Sequence, residues 1–377
     1  MIGKCNTGGG ENLTAQLNNQ DAIITELESK VQSVSGVDMA TPVNEQTVTI
    51  EQIQEALADK AASVFPTGIA ITTPPTKVEY VKDDALDLSG IVVTGTFDNG
   101  VVVDITDDCT FSPANGTILT TDDTAVTVSF TWGSKTYITA QAISVFLVKI
   151  VTWAGGTDEE IVKMVEFADR GLINLSDYWA VGDTRTVQLS AMSATGVGES
   201  HAAQQVDLVL MHAGGYDLNA AVASGRTKCS FVVGLKDSLA EAGYMNSSIT
   251  NRGSWHGSAR RTWCNNVFRN AIPSTLRAIF KQFKTVTAQT YNGSTNQTSV
   301  DYFALPAEKE VFDARNYCNQ TEYNALFQFD YYKTASNRVK KLGKTGTASR
   351  WWERSPYYRN STIFCSVISD GTATIND

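Results

Sequence analysis

Apolar positions recur along this chain with two different periods, and the change of period divides it. From Leu13 through Leu17, Gln20, Ile24, Leu27, Val31 and Val34 the spacings alternate between four and three residues. This a/d register predicts an amphipathic helix that pairs with copies of itself, Gln20 being the one polar core position that sets register. Three heptads are short for an independent coil, so a helix lying on its own chain is the competing reading. Thr49-Ile50-Glu51-Gln52 is a capping box that opens a second helix to about Val64, with Ile53, Leu57, Ala61 and Val64 on one face. Pro66-Thr67-Gly68 is expected to end that helix.

From about Gly68 to Val145 the period is two. Ile91 and Val93, the Asp98-Asn99-Gly100 turn and Val101-Val102-Val103 predict a hairpin. Val126, Val128, Phe130 and Trp132 alternate with small polar residues, as in a half-buried strand, and Gly133-Ser134 turns the chain into Tyr137-Ile138-Thr139. Short strands at this spacing predict an all-β sandwich. The expected organisation is a coiled-coil segment over 1–36, a helical connector over 37–67, the sandwich over 68–146 and an α+β domain over 147–377.

Residues 146–153 are apolar and are expected to form the strand entering the last domain. Thr157-Asp158-Glu159-Glu160 repeats the capping box, with Ile161, Met164, Val165 and Ala168 on one helix face. Its carboxylates are accounted for by the helix dipole and need no catalytic role. Residues 185–235 alternate strands and turns. Two helices are expected end to end from Ser258 to Gln282, broken near Pro273; Trp263, Val267 and Phe268 line the first, and Leu276, Ile279, Phe280 and Phe283 the second. Pro306 suits the first turn of a short helix, and Asn319-Gln320-Thr321-Glu322 caps another. The stretch from Ser349 to Gly371 then carries Trp351-Trp352, Arg354-Ser355-Pro356, apolar positions at Phe364 and Val367, and an Asp370-Gly371 turn. Neighbouring side chains of a strand face opposite ways, so the two tryptophans cannot enter the same core. Trp351 is expected as scaffold and Trp352 near a surface.

Trp351-Trp352-Glu353-Arg354-Ser355-Pro356, with Phe364, Val367 and Asp370-Gly371 downstream, resembles the WWxRSP…DG signature of phage and bacterial C-type-lectin-like domains. Upstream, Tyr178 to Asp183 resembles that family's opening strand, Arg261 to Phe268 its first long helix, and Asp301 to Pro306 the strand before its later helix. The resemblance covers roughly residues 155–373. Members usually run from the DG into a GVRP strand; this chain instead ends at Asp377, so the closing strand is expected to be supplied differently. Lys77 to Val145 resembles the bacterial immunoglobulin-like family, which implies a spacer or adhesion module. Trimeric fibres commonly begin with a short coil, so the N-terminal heptad pattern makes a homotrimer the expected state.

Composition narrows the function. A net charge of −10 over 377 residues argues against broad nucleic-acid or anionic-membrane binding. The six cysteines lie far apart with no CxxC, so free thiols are the default, although a pair in the last domain stays open. Residues 1–10 lack an apolar signal region, and the apolar run Ile143–Val151 is too short to span a bilayer. The expectation is a protein assembled in the host cytoplasm and released with a particle, without membrane insertion. Gly343-Lys344-Thr345 imitates the end of a P-loop, but Arg338 stands where the motif needs glycine. His201, His212 and His256 have no metal-ligand spacing, and no GxSxG elbow exists. EPN and QPD, the calcium-lectin motifs, are also absent. No cofactor or metal is expected, and no enzymatic activity; some relatives of the lectin-like fold make formylglycine, for which Cys365 is the one candidate in the signature region.

The tail carries the positive signal. After Glu353, 24 residues contain no Lys, Gln, Glu, Met or Trp, types that make up 61 of the 377 residues. These five are the types that codons ending in C or T cannot encode. The tail therefore resembles the variable regions written by diversity-generating retroelements, whose targets end in C-type-lectin-like domains; ordinary sampling of a short polar tail is the other reading. Tyrosine area, an arginine fork and short polar groups are the mixture that paratopes use. The expected ligand-binding residues are Trp352, Arg354, Tyr357, Tyr358, Arg359, Asn360, Ser361 and Thr362, with Phe364 and Asp370. Together these imply a phage or prophage tail-fibre or receptor-binding protein. Its partners would be a host surface protein or glycan and, through the N-terminus, other virion tail proteins. A virion decoration or baseplate protein is the alternative, and a formylglycine-type enzyme a more distant one.

Overall fold

Two three-stranded sheets close on one apolar core in the first part of the described chain. The computed structural model describes residues 64–195, 197 and 200–376. The expected coil, and the connector helix up to residue 63, lie outside the described residues. The chain is a β-rich multidomain protein with few short helices, dividing after Leu147 into two units.

In the first unit, β1 (Pro66–Thr73), β3 (Val92–Phe97) and β4 (Val102–Asp104) form one antiparallel sheet. The strands β5 (Thr110–Ser112), β6 (Ala125–Trp132) and β7 (Lys135–Ala142) form the other, and β2 (Glu79–Val81) pairs in parallel with β8 (Ser144–Phe146). Gly100 turns β3 into β4 at φ +81, a backbone state that costs glycine little. Period two then decides burial: Val93 and Phe97 from β3, and Val126, Val128 and Phe130 from β6, enter a core with Tyr80, Ile105 and Leu119. Two expectations change. Pro66-Thr67-Gly68 begins β1 rather than closing a helix. The strand expected over residues 146–153 is absent, because β8 stops at Phe146.

The second unit opens with α1 (Asp158–Asp169), started by the capping box: Glu160 N donates to Thr157 Oγ1 at 3.3 Å and Thr157 N to the Glu160 carboxylate at 2.8 Å. Its buried face is Ile161, Met164 and Ala168. Tyr178 to Asp183, expected as a strand, is a turn whose Gly182 (φ +99) leads into β9 (Thr184–Leu189). Next, β10 (Gln204–Ala213) pairs with β9 on one side and β11 (Phe231–Leu235) on the other. Leu208 and Leu210 face one apolar cluster, while Val209 and Met211 face a second. The helix at Ala259–Trp263 (α2) passes through a π-helical stretch, Cys264–Phe268, to Arg269–Ala271. Pro273 breaks the run as expected, but α3 is a single turn, Ser274–Arg277, and Phe283 starts β12 (Phe283–Ala288), which pairs with β13 (Asn296–Asp301). Short helices α4 (Glu308–Val311), α5 (Gln320–Asn324) and α6 (Asp330–Lys333) follow, then the two-residue pair β14 (Lys340–Lys341) and β15 (Ala348–Ser349).

The last sheet has the order β16 (Trp351–Pro356), β17 (Phe364–Val367), β18 (Ala373–Asn376). β18 follows the Asp370-Gly371 turn and pairs antiparallel with β17. Trp351 stacks on Tyr332 within one cluster, and Trp352 packs against the other, so alternation sends the pair to two different cores.

Candidate functional site

The turn between β16 and β17, Tyr357 to Thr362, is the one place where the predicted residues gather near solvent. Tyr357 N donates to Ile363 O at 2.9 Å and closes the loop. Asn251, itself fully buried, reaches into it: its Nδ2 donates to Asn360 O at 2.7 Å and Ile363 O at 2.6 Å, and its backbone N to Ser361 O at 2.8 Å. Asn360 Oδ1 accepts from Thr362 N at 2.9 Å and Thr362 Oγ1 at 2.7 Å, so this side chain spends its acceptor on the turn. The loop is thus held by bonds from a distant segment, which lowers the entropy a ligand must freeze.

On this frame Tyr357 and Tyr358 stand edge to face at 5.5 Å, and Tyr317 meets Tyr357 at 6.0 Å. The Arg359 guanidinium lies 4.8 Å from the Tyr358 ring centroid and that of Arg315 5.3 Å from it. Tyr358 N donates to Tyr317 O at 3.1 Å, which fixes the neighbouring loop beside the turn. Arg359 and Arg315 are exposed, and the tyrosines are half-buried. The result is an aromatic surface flanked by two cations on a chain of net charge −10. Such a surface stacks on flat or ring-shaped ligands and holds carboxylate or phosphate oxygens. Arg315 and Tyr317 were missed from sequence. Their signal was the same arginine-tyrosine mixture in a polar loop, Ala314 to Cys318.

Four predicted residues are elsewhere. Arg354 is fully buried: it makes a two-pronged ion pair with Glu310 at 2.5 and 2.6 Å and donates to Leu305 O at 2.8 Å. Burial works against its charge, but Glu310 and Tyr216 more than offset that and hold it firmly protonated. Phe364 is core, at 2% exposure. Trp352 gives its indole N–H to Gly243 O at 2.9 Å and lines an apolar cavity of ≈ 420 Å³ with Trp179, Phe231, Phe280 and Phe303. Asp370 is exposed, but it caps the β17–β18 turn through Thr372 N at 2.9 Å. That turn lies at the far end of β17 from Tyr357, on the order of 13 Å away along a four-residue strand.

Beneath the turn lies a buried polar network. Glu308 accepts from the backbone N–H groups of Asn316 at 2.7 Å, Tyr317 at 2.8 Å and Cys318 at 3.2 Å, anchoring the loop that presents Arg315 and Tyr317. Glu308 N donates to Ser355 Oγ at 2.9 Å, and the Ser355 hydroxyl donates to Glu322. Glu322 also accepts from Ala288 N at 2.7 Å; desolvation nevertheless pushes its carboxyl up to about 7. Glu353 lies fully buried beside them. Its carboxyl is held well above the ordinary range by burial, then by Glu308, Glu322 and Glu310. Cys365 is buried as well, and burial followed by the Glu308 and Glu353 charges raises its thiol, so it is no poised thiolate. The three histidines are dispersed, His201 on Glu241, His212 on Asp330 and His256 on Ser299.

Residues 232–377 match a family described as a domain of unknown function (DUF6273). The match takes in the turn, the Arg315–Tyr317 loop and the whole buried network. No curated protein matches the chain.

Proposed function

We propose that this chain is a host-attachment protein of a phage or prophage tail, carried in the virion. In this reading an N-terminal coil joins three copies, the immunoglobulin-like sandwich spaces them, and a C-type-lectin-like head binds a protein or glycan on the host surface. The observation that carries the reading is the Tyr317, Tyr357, Tyr358, Arg315 and Arg359 cluster on a turn pinned by buried Asn251. The scaffold is rigid and the contact residues are few. That division suits a surface whose side chains change while the fold does not, as retroelement diversification of the tail requires. Three weak sites on one trimer would gain by avidity.

Two measurements test it. Tyr357→Ala combined with Tyr358→Ala should weaken binding to host cells by at least roughly 30-fold, a loss of hot-spot size, with the melting temperature nearly unchanged. Unchanged adsorption by a folded variant overturns the site. Protein present in purified particles that binds no cell turns the reading to a virion decoration or baseplate component. DNA beside the gene that encodes a reverse transcriptase and a near-copy of the 3′ end, differing at adenines, supports the variable tail; its absence removes that part.

A further inference from the structure

The buried carboxylates below the turn do not balance. Glu308, Glu310, Glu322 and Glu353 are all fully buried, and Arg354 is the fully buried cation among them. Glu310 is answered by Arg354, Tyr216 and Ala307 N. Glu308 is answered by three backbone N–H groups, and Glu322 by Ala288 N and Ser355. Glu353 is answered by nothing: neither carboxylate oxygen has a hydrogen-bond partner. A proton alone is an incomplete remedy: neither oxygen has a hydrogen-bond partner as placed, so the neutral carboxyl still leaves polar atoms unmet, each costing about 1–3 kcal/mol. The ionised form would be costlier still.

What Glu353 does face is a set of metal donors. One oxygen of Glu353, one of Glu308 and the Cys365 Sγ lie within 4.8 Å of one another. Cys318, also buried, gives its backbone N–H to Glu308 at 3.2 Å. A cation at the centre of a 4.8 Å triangle would sit about 2.8 Å from each donor, against about 2.0–2.3 Å for zinc bonds, so side-chain shifts of under about 1 Å close the set.

We propose that Glu308, Glu353 and Cys365 form a buried structural site for a divalent transition cation of the zinc class. The mixed carboxylate and thiolate set argues for zinc over magnesium or calcium, which take oxygen ligands. Binding would displace the Cys365 thiol proton and give Glu353 the partner it lacks. Glu308 holds the 316–318 backbone, so the ion would tie the Arg315–Tyr317 loop to β16 and β17 from below. The site is closed to solvent, and uptake belongs to folding rather than to the folded protein.

The full chain, expressed in zinc-supplemented medium and purified without chelator, should carry about one zinc per chain by elemental analysis. Expression with cobalt should give a thiolate-to-cobalt charge-transfer band, and Cys365→Ser should abolish it. Should Cys365→Ser fail to fold, the near-isosteric Glu353→Gln reads the same site, by a metal content reduced at least roughly ten-fold. Folded wild-type chain that holds no zinc or cobalt overturns the proposal and leaves Glu353 as a buried acid. So does a cobalt band that survives in folded Cys365→Ser, because the thiolate would then be another cysteine.

Discussion

The cores of the two units are built from different materials. Among the described residues, every polar or charged side chain that is buried lies from Arg185 onward; the sandwich core before it is apolar throughout. The C-terminal unit has two apolar clusters and, next to them, the Arg354–Glu310 pair with Glu308, Glu322 and Glu353. An apolar core asks only that hydrophobic positions recur with the right period. A polar core asks that each buried charge meet a particular partner, and here those partners hold the loops at the candidate site.

The sharpest way to break the comparison is Arg354→Ala. It strands Glu310 as an uncompensated buried charge and should cost about 3–5 kcal/mol. In chemical denaturation the transition of the second unit should shift while that of the first stays in place. Leu119→Ala, fully buried in the sandwich, should cost about 3 kcal/mol by cavity formation and move only the first transition. If both variants shift both transitions alike, the two cores are not energetically separate.

Acidity distinguishes the cores next. The folded value of Glu322 lies at about 7, above its ordinary 4.5, so the native state holds a proton that the unfolded chain releases across that interval. The stabilisation is complete below about pH 4.5 and is lost as pH rises through about 7, up to about 3 kcal/mol in all. In protein refolded in the presence of chelator the midpoint of the second unit should therefore fall from pH 5 to pH 7.5. Glu322→Gln should reduce that slope, buried Glu353 contributing the rest, and the first unit should show none of it. A midpoint that rises over this range in both proteins contradicts the assignment.

Surface residues give the smallest effects on stability. Tyr357→Ala with Tyr358→Ala should cost no more than about 1 kcal/mol, because both rings are half-exposed. Asp370→Ala loses one turn cap and should leave host binding unchanged, since Asp370 stands at the other end of β17. Lost binding in that variant would move the contact surface away from the tyrosines.

The hairpin at Asp98-Asn99-Gly100, the alternation in β6, the capping box at Thr157 and the opposite facing of Trp351 and Trp352 were all legible in the sequence. Each depends on neighbours within a few positions. The sequence singled out Tyr357 to Thr362 by composition only; that they form the turn between β16 and β17 was not read from it. The helix expected up to Gln282 shortened to one turn because Phe283 pairs with Asp301, a strand contact that helical spacing cannot announce.

Arg354 shows where such reading stops. Arginine beside tyrosines in a polar run looks like a ligand contact, and only the chain's return brings Glu310, 44 positions away, into a two-pronged bond with it. Asn251 reaches Ile363 across 112 positions, and nothing near either residue signals it. The sequence by itself determined the strand period, the caps and the chemistry of the exposed turn, because these are set by backbone geometry and adjacent side chains. Tertiary structure alone decided which charges are buried and which meet solvent. The free energy of a buried polar group depends on partners supplied by distant segments, and local pattern carries no record of them.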